Sequence, residues 1–255
     1  MTVGLPRYDE LPRDRDGIPS AWGLFGERES LGAMGVQTPD QVRAAARLIE
    51  RGAVFSLDAP LDAIDPPMFG RGRLQRVTTV DLGGIGVDEH LDAFFTHGSS
   101  HWDALGHVAF AADRFFDGAS LQEVTEGGHN TIEHWARMGI AGRAVMLDLD
   151  AYLGGAGTGF DPGSARAVTA DELEACRVAQ GVRFEPGDVL LLHTGYLGWY
   201  LNQSREVRAL RRRASRRGRW PGPRRARAAL SLGRRNPGGG RRLPRARGLA
   251  ARLSA

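Results

Sequence analysis

Residues 169–196, "TADELEACRVAQGVRFEPGDVLLLHTGY", decide the architecture. Thr169 followed by Glu172 is a capping box, Gly181 is a stop signal, and the stretch between them reads as a helix. The turn residues "EPGD" lead into "VLLLHTGY", a continuous apolar run of the kind a sheet buries on both faces. Just upstream, "RAVMLDLDAYL" (143–153) reads as a second buried strand and "GGAGTGFDPGSARAV" (154–168) as a loop. Strand, loop, helix and strand in that order predict a mixed α/β domain. "GGAGTG" after a strand invites a nucleotide-binding reading. It fails, because Phe160 stands where the third glycine belongs and no helix opens within it.

Working outward, "TIEHWARMGI" (131–140) predicts a short helix and "LQRVTTVDLG" (74–83) a strand. "AVFSLDAPL" (53–61) predicts another strand, with "DAIDPPMFGRG" (62–72) as a long connection. Thr38, Pro39 and Gln41 mark a helix start and Gly52 its stop, with Val42, Ala45, Ala46 and Ile49 at helical spacing. Residues 20–37 are Gly-rich and read as a loop. The 255 residues suit one large domain or two small ones. No apolar run is long enough to span a bilayer, and the N-terminal residues lack the pattern of a secretory signal. The expectation is a cytoplasmic protein with no membrane partner. Cys176, the single cysteine, excludes an internal disulfide and a multi-cysteine metal site, and is expected to be a half-buried helical thiol.

The net charge of +4 conceals two compositions. Residues 207–255 contain 17 arginines and no Asp, Glu or His; residues 1–206 hold the other 17 arginines against all 30 acids, a balance of −13. The expectation is a domain over 1–207 followed by an irregular, disordered Arg/Gly/Pro-rich tail over 208–255, which has too few large apolar side chains to offset chain entropy. Two readings of the tail stand side by side. One is a basic arm for nucleic acid or acidic partners. The other, preferred for the abrupt loss of every acid, is out-of-frame translation of a GC-rich gene. On that preference nucleic acid is not the expected partner.

The stretch "FFTHGSSHWDALGHVAF" (94–110) places His97, His101, Asp103 and His107 within eleven residues, in a chain with seven histidines. Neutral imidazole and anionic carboxylate are donors to a divalent ion, and three of them leave open positions for water. His97 and His101 are four apart, and His101 and Asp103 two apart, so no single regular element serves both spacings. A loop through Gly98, Ser99 and Ser100 into a short extended segment does. His107 is either a fourth ligand or an acid/base beside the site, and the second is preferred.

"HGSSHWDALGH" resembles the H-x-G-T-H-x-D-x-x-x-H signature of the cyclase-like metal hydrolases, which include bacterial kynurenine formamidase, an enzyme of tryptophan catabolism, and isatin hydrolase. Ser99 and Ser100 depart mildly from the usual Gly-Thr pair. "SAWGLFGERESLGAMGVQTPDQVRAAARLIERGAVFSLDAPL", "GIAGRAVMLDLDAYLG" and the opening stretch also look like longer members of that family, so the resemblance covers roughly residues 20–205. It implies zinc or manganese on His97, His101 and Asp103, with His107 as catalytic acid/base. It further implies a swivelling β/β/α core, a homo-oligomer, a small-molecule substrate, and hydrolysis of an amide, formamide or lactam through metal-activated water. One departure is large: the family carries a further His and Glu nearer its C-terminus, and residues 207–255 contain neither. An inactive truncated or frame-altered member is therefore the alternative.

Trp102 is a candidate for stacking on a planar substrate, against ordinary aromatic packing. His90, His129 and His134 read as surface or helix-start residues, and His193, at a strand end, as a lesser pocket candidate.

Overall fold

A computed structural model of the protein describes residues 6–13, 19–81, 83–155, 157, 159–164 and 166–216. Residues 217–255, most of the Arg-rich tail, lie outside the described residues. So do two positions of the "GGAGTG" stretch, 156 and 158.

Helix α1 (Pro39–Ala46) starts as the sequence predicts. The Thr38 hydroxyl accepts from the Gln41 backbone N–H, and the Gln41 side chain accepts from Thr38 N–H. It ends at Ala46 instead of running to Gly52. The amide of Leu48 reaches back three residues, to Ala45. Leu48 and Ile49 are exposed, so no apolar face is buried that would hold another turn. Residues 53–61 form no strand. Val54 is 93 % exposed and Phe55 79 %, and a strand without a ladder partner leaves its backbone groups to water.

Strand β1 (Gln75–Asp81) pairs antiparallel with β2 (Gly86–Asp92), with Thr78 opposite Glu89 and an Arg76–Glu89 cross-strand bond. β2 was not foreseen; His90 lies on it, exposed, rather than in a loop. Short helices α2 (Leu121–Thr125) and α3 (Glu133–Met138) follow. The Gly-rich region expected as a loop contains 3₁₀ turns over Gly26–Val36, broken at Arg28 and Gly32.

The opening stretch forms the predicted helix and strand, the strand ending at His193. β3 (Ala144–Asp148) and β4 (Val189–His193) run parallel, with Asp148 opposite His193. Between them lie α4 (Leu149–Gly155) and α5 (Ala170–Ala179), the latter capped reciprocally by Thr169 and Glu172. The predicted strand 143–153 is thus a five-residue strand that turns into a helix at Leu149. Val145 and Leu147 point into the core while Met146 is 53 % exposed, so the helices cover one face of this sheet only. The expectation of burial on both faces does not hold: β4 is half-buried, because a two-stranded sheet has a single helical layer on it. Leu147, Leu149, Leu153, Leu173 and Cys176 form the main core. Each large side chain there contributes about 1.5–3 kcal/mol by leaving water. Cys176 is fully buried rather than half-buried, and burial pushes its thiol pKa up.

α6 (Tyr196–Leu201) begins at Gly195, whose φ is +70° and against which the Asp150 carboxylate packs where a side chain would sit. α7 (Arg205–Arg216) carries nine residues of the predicted irregular tail as helix. It does not stand free: Arg208 and Arg211 stack on Tyr200 and Trp199, and the Ser215 hydroxyl accepts from Phe69 N–H at 2.9 Å. Tyr200 joins Ile64 and Met68 in a second core. Among the described residues no helix is long and apolar enough to cross a membrane.

Candidate metal centre

The histidine loop leaves β2 through Ala93, Phe94 and Phe95, makes one 3₁₀ turn over Thr96–Gly98, and becomes extended at Ser99. Two serines fasten it. Buried Ser99 donates to the carbonyl of Pro60 at 2.8 Å, and Ser100 accepts from the N–H of Ala59 at 2.9 Å. The far end is fixed by Gly106, whose N–H donates to the Asn130 carbonyl at 2.9 Å. A Cβ on Gly106 would lie 2.8 Å from Val124 and 3.1 Å from that carbonyl, so only glycine fits. Asn130 is itself buried, with its side-chain amide donating to Phe116 O.

This scaffold brings His97, Asp103 and His107 into one group whose candidate ligand atoms lie within 4.8 Å of one another. His97 Nε2 is 3.2 Å from Asp103 Oδ1, and His107 Nδ1 is 2.7 Å from Asp103 Oδ2. Two donors each about 2.1 Å from a tetrahedral ion sit about 3.4 Å apart. The first separation suits shared ligation. The second is the length of a charge-assisted hydrogen bond, with imidazole donating to carboxylate.

His101 stands beside this group. Its ring meets that of His97 edge-on at 4.7 Å, and the His107 ring stacks on His97 at 3.9 Å. His101 Nδ1 lies 2.8 Å from the Ser99 carbonyl. A carbonyl only accepts, so Nδ1 carries the proton and Nε2 presents a bare lone pair. That Nε2 is buried and has no hydrogen-bond partner. An imidazole held by a backbone carbonyl at one nitrogen, with the other free, is the usual arrangement of a metal-bound histidine.

The electrostatics agree with a ligand set. Burial, then repulsion from His107, lowers the His97 pKa despite the pull of Asp103, so this imidazole is neutral at neutral pH. Burial would raise the Asp103 carboxyl, but the His107 hydrogen bond and the neighbouring imidazoles outweigh it and hold it low. The imidazoles of His97 and His101 and the Asp103 carboxylate fit zinc or manganese in donor type, but the donors that lie within 4.8 Å of one another are those of His97, Asp103 and His107, with His101 outside that group.

Trp102 is half exposed, packs edge-on against Trp135 at 6.1 Å, and does not line the neighbouring cavity. His134 Nε2 donates to the Gly128 carbonyl, a local structural bond. His193 pairs with Asp148 across the parallel strands at 2.9 Å. Sequence reading missed Arg71. It lies in the connection 62–72 beside a cavity of about 250 Å³ that reaches the histidine loop at Gly98. The only signal was a basic residue between two glycines.

Residues 38–237 match the model of the Cyclase family, a stretch that takes in the first part of the Arg-rich tail. The structure is similar to a crystal structure described as that of a novel cyclase. The TM-score is 0.65 at 24 % identity, over 75 % of this chain and 67 % of that one. A search of curated proteins gives no match.

Proposed function

This chain belongs to the Cyclase family, and from that premise we propose that it is a metal-dependent hydrolase of amide, formamide or lactam bonds, arylformamidase-like in type. The observation that carries the reading is the orphaned, buried Nε2 of His101 beside the His97–Asp103 pair spaced 3.2 Å apart.

His97, His101 and Asp103 would hold a zinc or manganese ion. When bound, such an ion supplies Lewis-acid polarisation of a carbonyl and water acidic enough to ionise near neutral pH. The remaining work falls to the chain. Asp103 Oδ2 accepts from His107 Nδ1, which fixes the ring and leaves its Nε2 to carry a proton. In hydrolysis that Nε2 takes a proton from the attacking water and returns it to the leaving nitrogen. Stacking of His107 on His97 keeps the acid/base ring over the ligand set. The serine contacts to residues 59 and 60 hold the loop in shape while substrate enters.

We also propose a homo-oligomer and a small-molecule substrate. Exposed Val80, Ile85 and Val87 on the β1–β2 hairpin, with Val54, Phe55 and Leu57, support self-association. Sedimentation showing a monomer at micromolar concentration would refute that part.

The test is metal content and turnover together. The full chain, stripped with chelator and reconstituted with zinc or manganese, should bind one ion per chain and hydrolyse an N-formyl aniline. His97→Ala with His101→Ala should lose both. A wild type without stoichiometric metal ends the reading; metal without turnover on formamides or lactams supports the inactive alternative.

A further inference from the structure

The cavity beside the histidine loop contains two arginines in different circumstances. Arg73 is neutralised by Asp65, at 3.2 Å. Arg71 lies over the Phe69 ring at 5.1 Å, and among the described residues nothing hydrogen-bonds or ion-pairs with its guanidinium. It is half-buried, and burial lowers its pKa while Asp103, within electrostatic reach, favours the charged form. A guanidinium does not lose its proton in a protein, so a partly desolvated cation faces the cavity with its donors unused. Phe94 and Phe95, both half exposed, line the same cavity.

We infer that Arg71 is an anion-docking residue, receiving a carboxylate on a ligand whose apolar body lies against Phe94 and Phe95. The guanidinium fork matches a carboxylate through two parallel N–H···O bonds. Asp62, which also lines the cavity, disfavours a multiply charged anion such as phosphate. A volume of about 250 Å³ suits one small ring with its substituents. Read as a substrate subsite, the inference rests on the hydrolase reading above and narrows it to carboxylate-bearing substrates. The docking itself does not need the metal.

The test therefore uses full-length, chelator-treated protein, in which a carboxylate has no ion to coordinate. Ligand-observed NMR titrations compare benzoate with benzamide, its neutral isostere. Wild type should bind benzoate at least fivefold more tightly. Arg71→Gln should abolish the preference, while Arg71→Lys should retain part of it and Arg43→Gln, exposed on α1 away from the cavity lining, all of it. Raising salt from roughly 50 to 500 mM should weaken benzoate and leave benzamide unchanged on the wild type, a readout independent of any variant's folding. Equal binding of the two probes, binding of neither, or a preference that survives in folded Arg71→Gln overturns the inference. Failure of the hydrolase reading shows separately, as absent metal or absent turnover with the benzoate preference intact.

Discussion

Asp103 keeps a carboxylate ionised where burial opposes it, because one oxygen accepts from His107 and the other faces His97. Asp103→Asn preserves shape and removes the charge that both imidazoles use. Metal affinity should fall by at least the roughly 10- to 100-fold that losing an outer partner costs, measured by zinc titration with a competing chelator. The pH dependence follows from His97. Its folded pKa is depressed below 6.5 by burial and by His107, so as pH falls the unfolded chain binds a proton first. Its contribution to stability is full above the unfolded value and declines as pH drops toward the folded one. Denaturant melts of metal-free protein between pH 7 and 5 should lose stability on that account, and His97→Gln should lose less. Ser99 offers a cleaner structural test: Ser99→Ala removes the buried hydroxyl that donates to the Pro60 carbonyl and should cost about 0.5–1.5 kcal/mol, read as a lower thermal midpoint. The four polar positions of the loop were legible because they are close in sequence. Arg71 was not, because its meaning depends on Arg73 pairing with Asp65 while the Arg71 guanidinium has no hydrogen-bond or ion-pair partner among the described residues.

Elements with local signals were the readable ones. The capping boxes at Thr38 and Thr169 formed as predicted, since each needs only residues three apart. The α1 terminus and the segment 53–61 were misread because their ends depend on what covers Leu48, Ile49 and Phe55, and nothing in the described residues does. β2 escaped notice because "GVDEHLD" has no apolar alternation, its strand existing only through pairing with β1. Thr169→Ala should cost about 1 kcal/mol through loss of the α5 cap. The cap is also pH-sensitive. Burial raises the Glu172 carboxyl, but the Thr169 N–H, Arg166 and the Thr169 hydroxyl together bring it below its ordinary 4.5. Its contribution is present above 4.5 and lost as pH falls through the folded value. Glu172→Gln should therefore flatten the acid limb of the stability profile below pH 5, and an unchanged limb would remove Glu172 from the account.

At the scale of the molecule, two cores do different things. The cluster around Leu147 joins β3, α4 and α5 and holds the parallel pair together. The cluster of Ile64, Met68 and Tyr200 ties the connection that carries Arg71 to α6, and the Ser215–Phe69 bond ties it to α7. Truncation at the two centres should separate these roles. Leu147→Ala should destabilise by about 2–5 kcal/mol, raising amide exchange throughout. Tyr200→Ala, which opens the second cluster, should raise exchange first in residues 62–72, while the β3–β4 amides stay protected until global unfolding. The cavity wall then becomes mobile before the metal loop does, since Ser99 and Ser100 still fasten that loop to residues 59 and 60. In Tyr200→Ala, benzoate binding should weaken with zinc affinity nearly unchanged. Hydrogen exchange read by mass spectrometry, paired with the two titrations, decides it; equal loss of both affinities would mean the cavity and the metal loop move as one body.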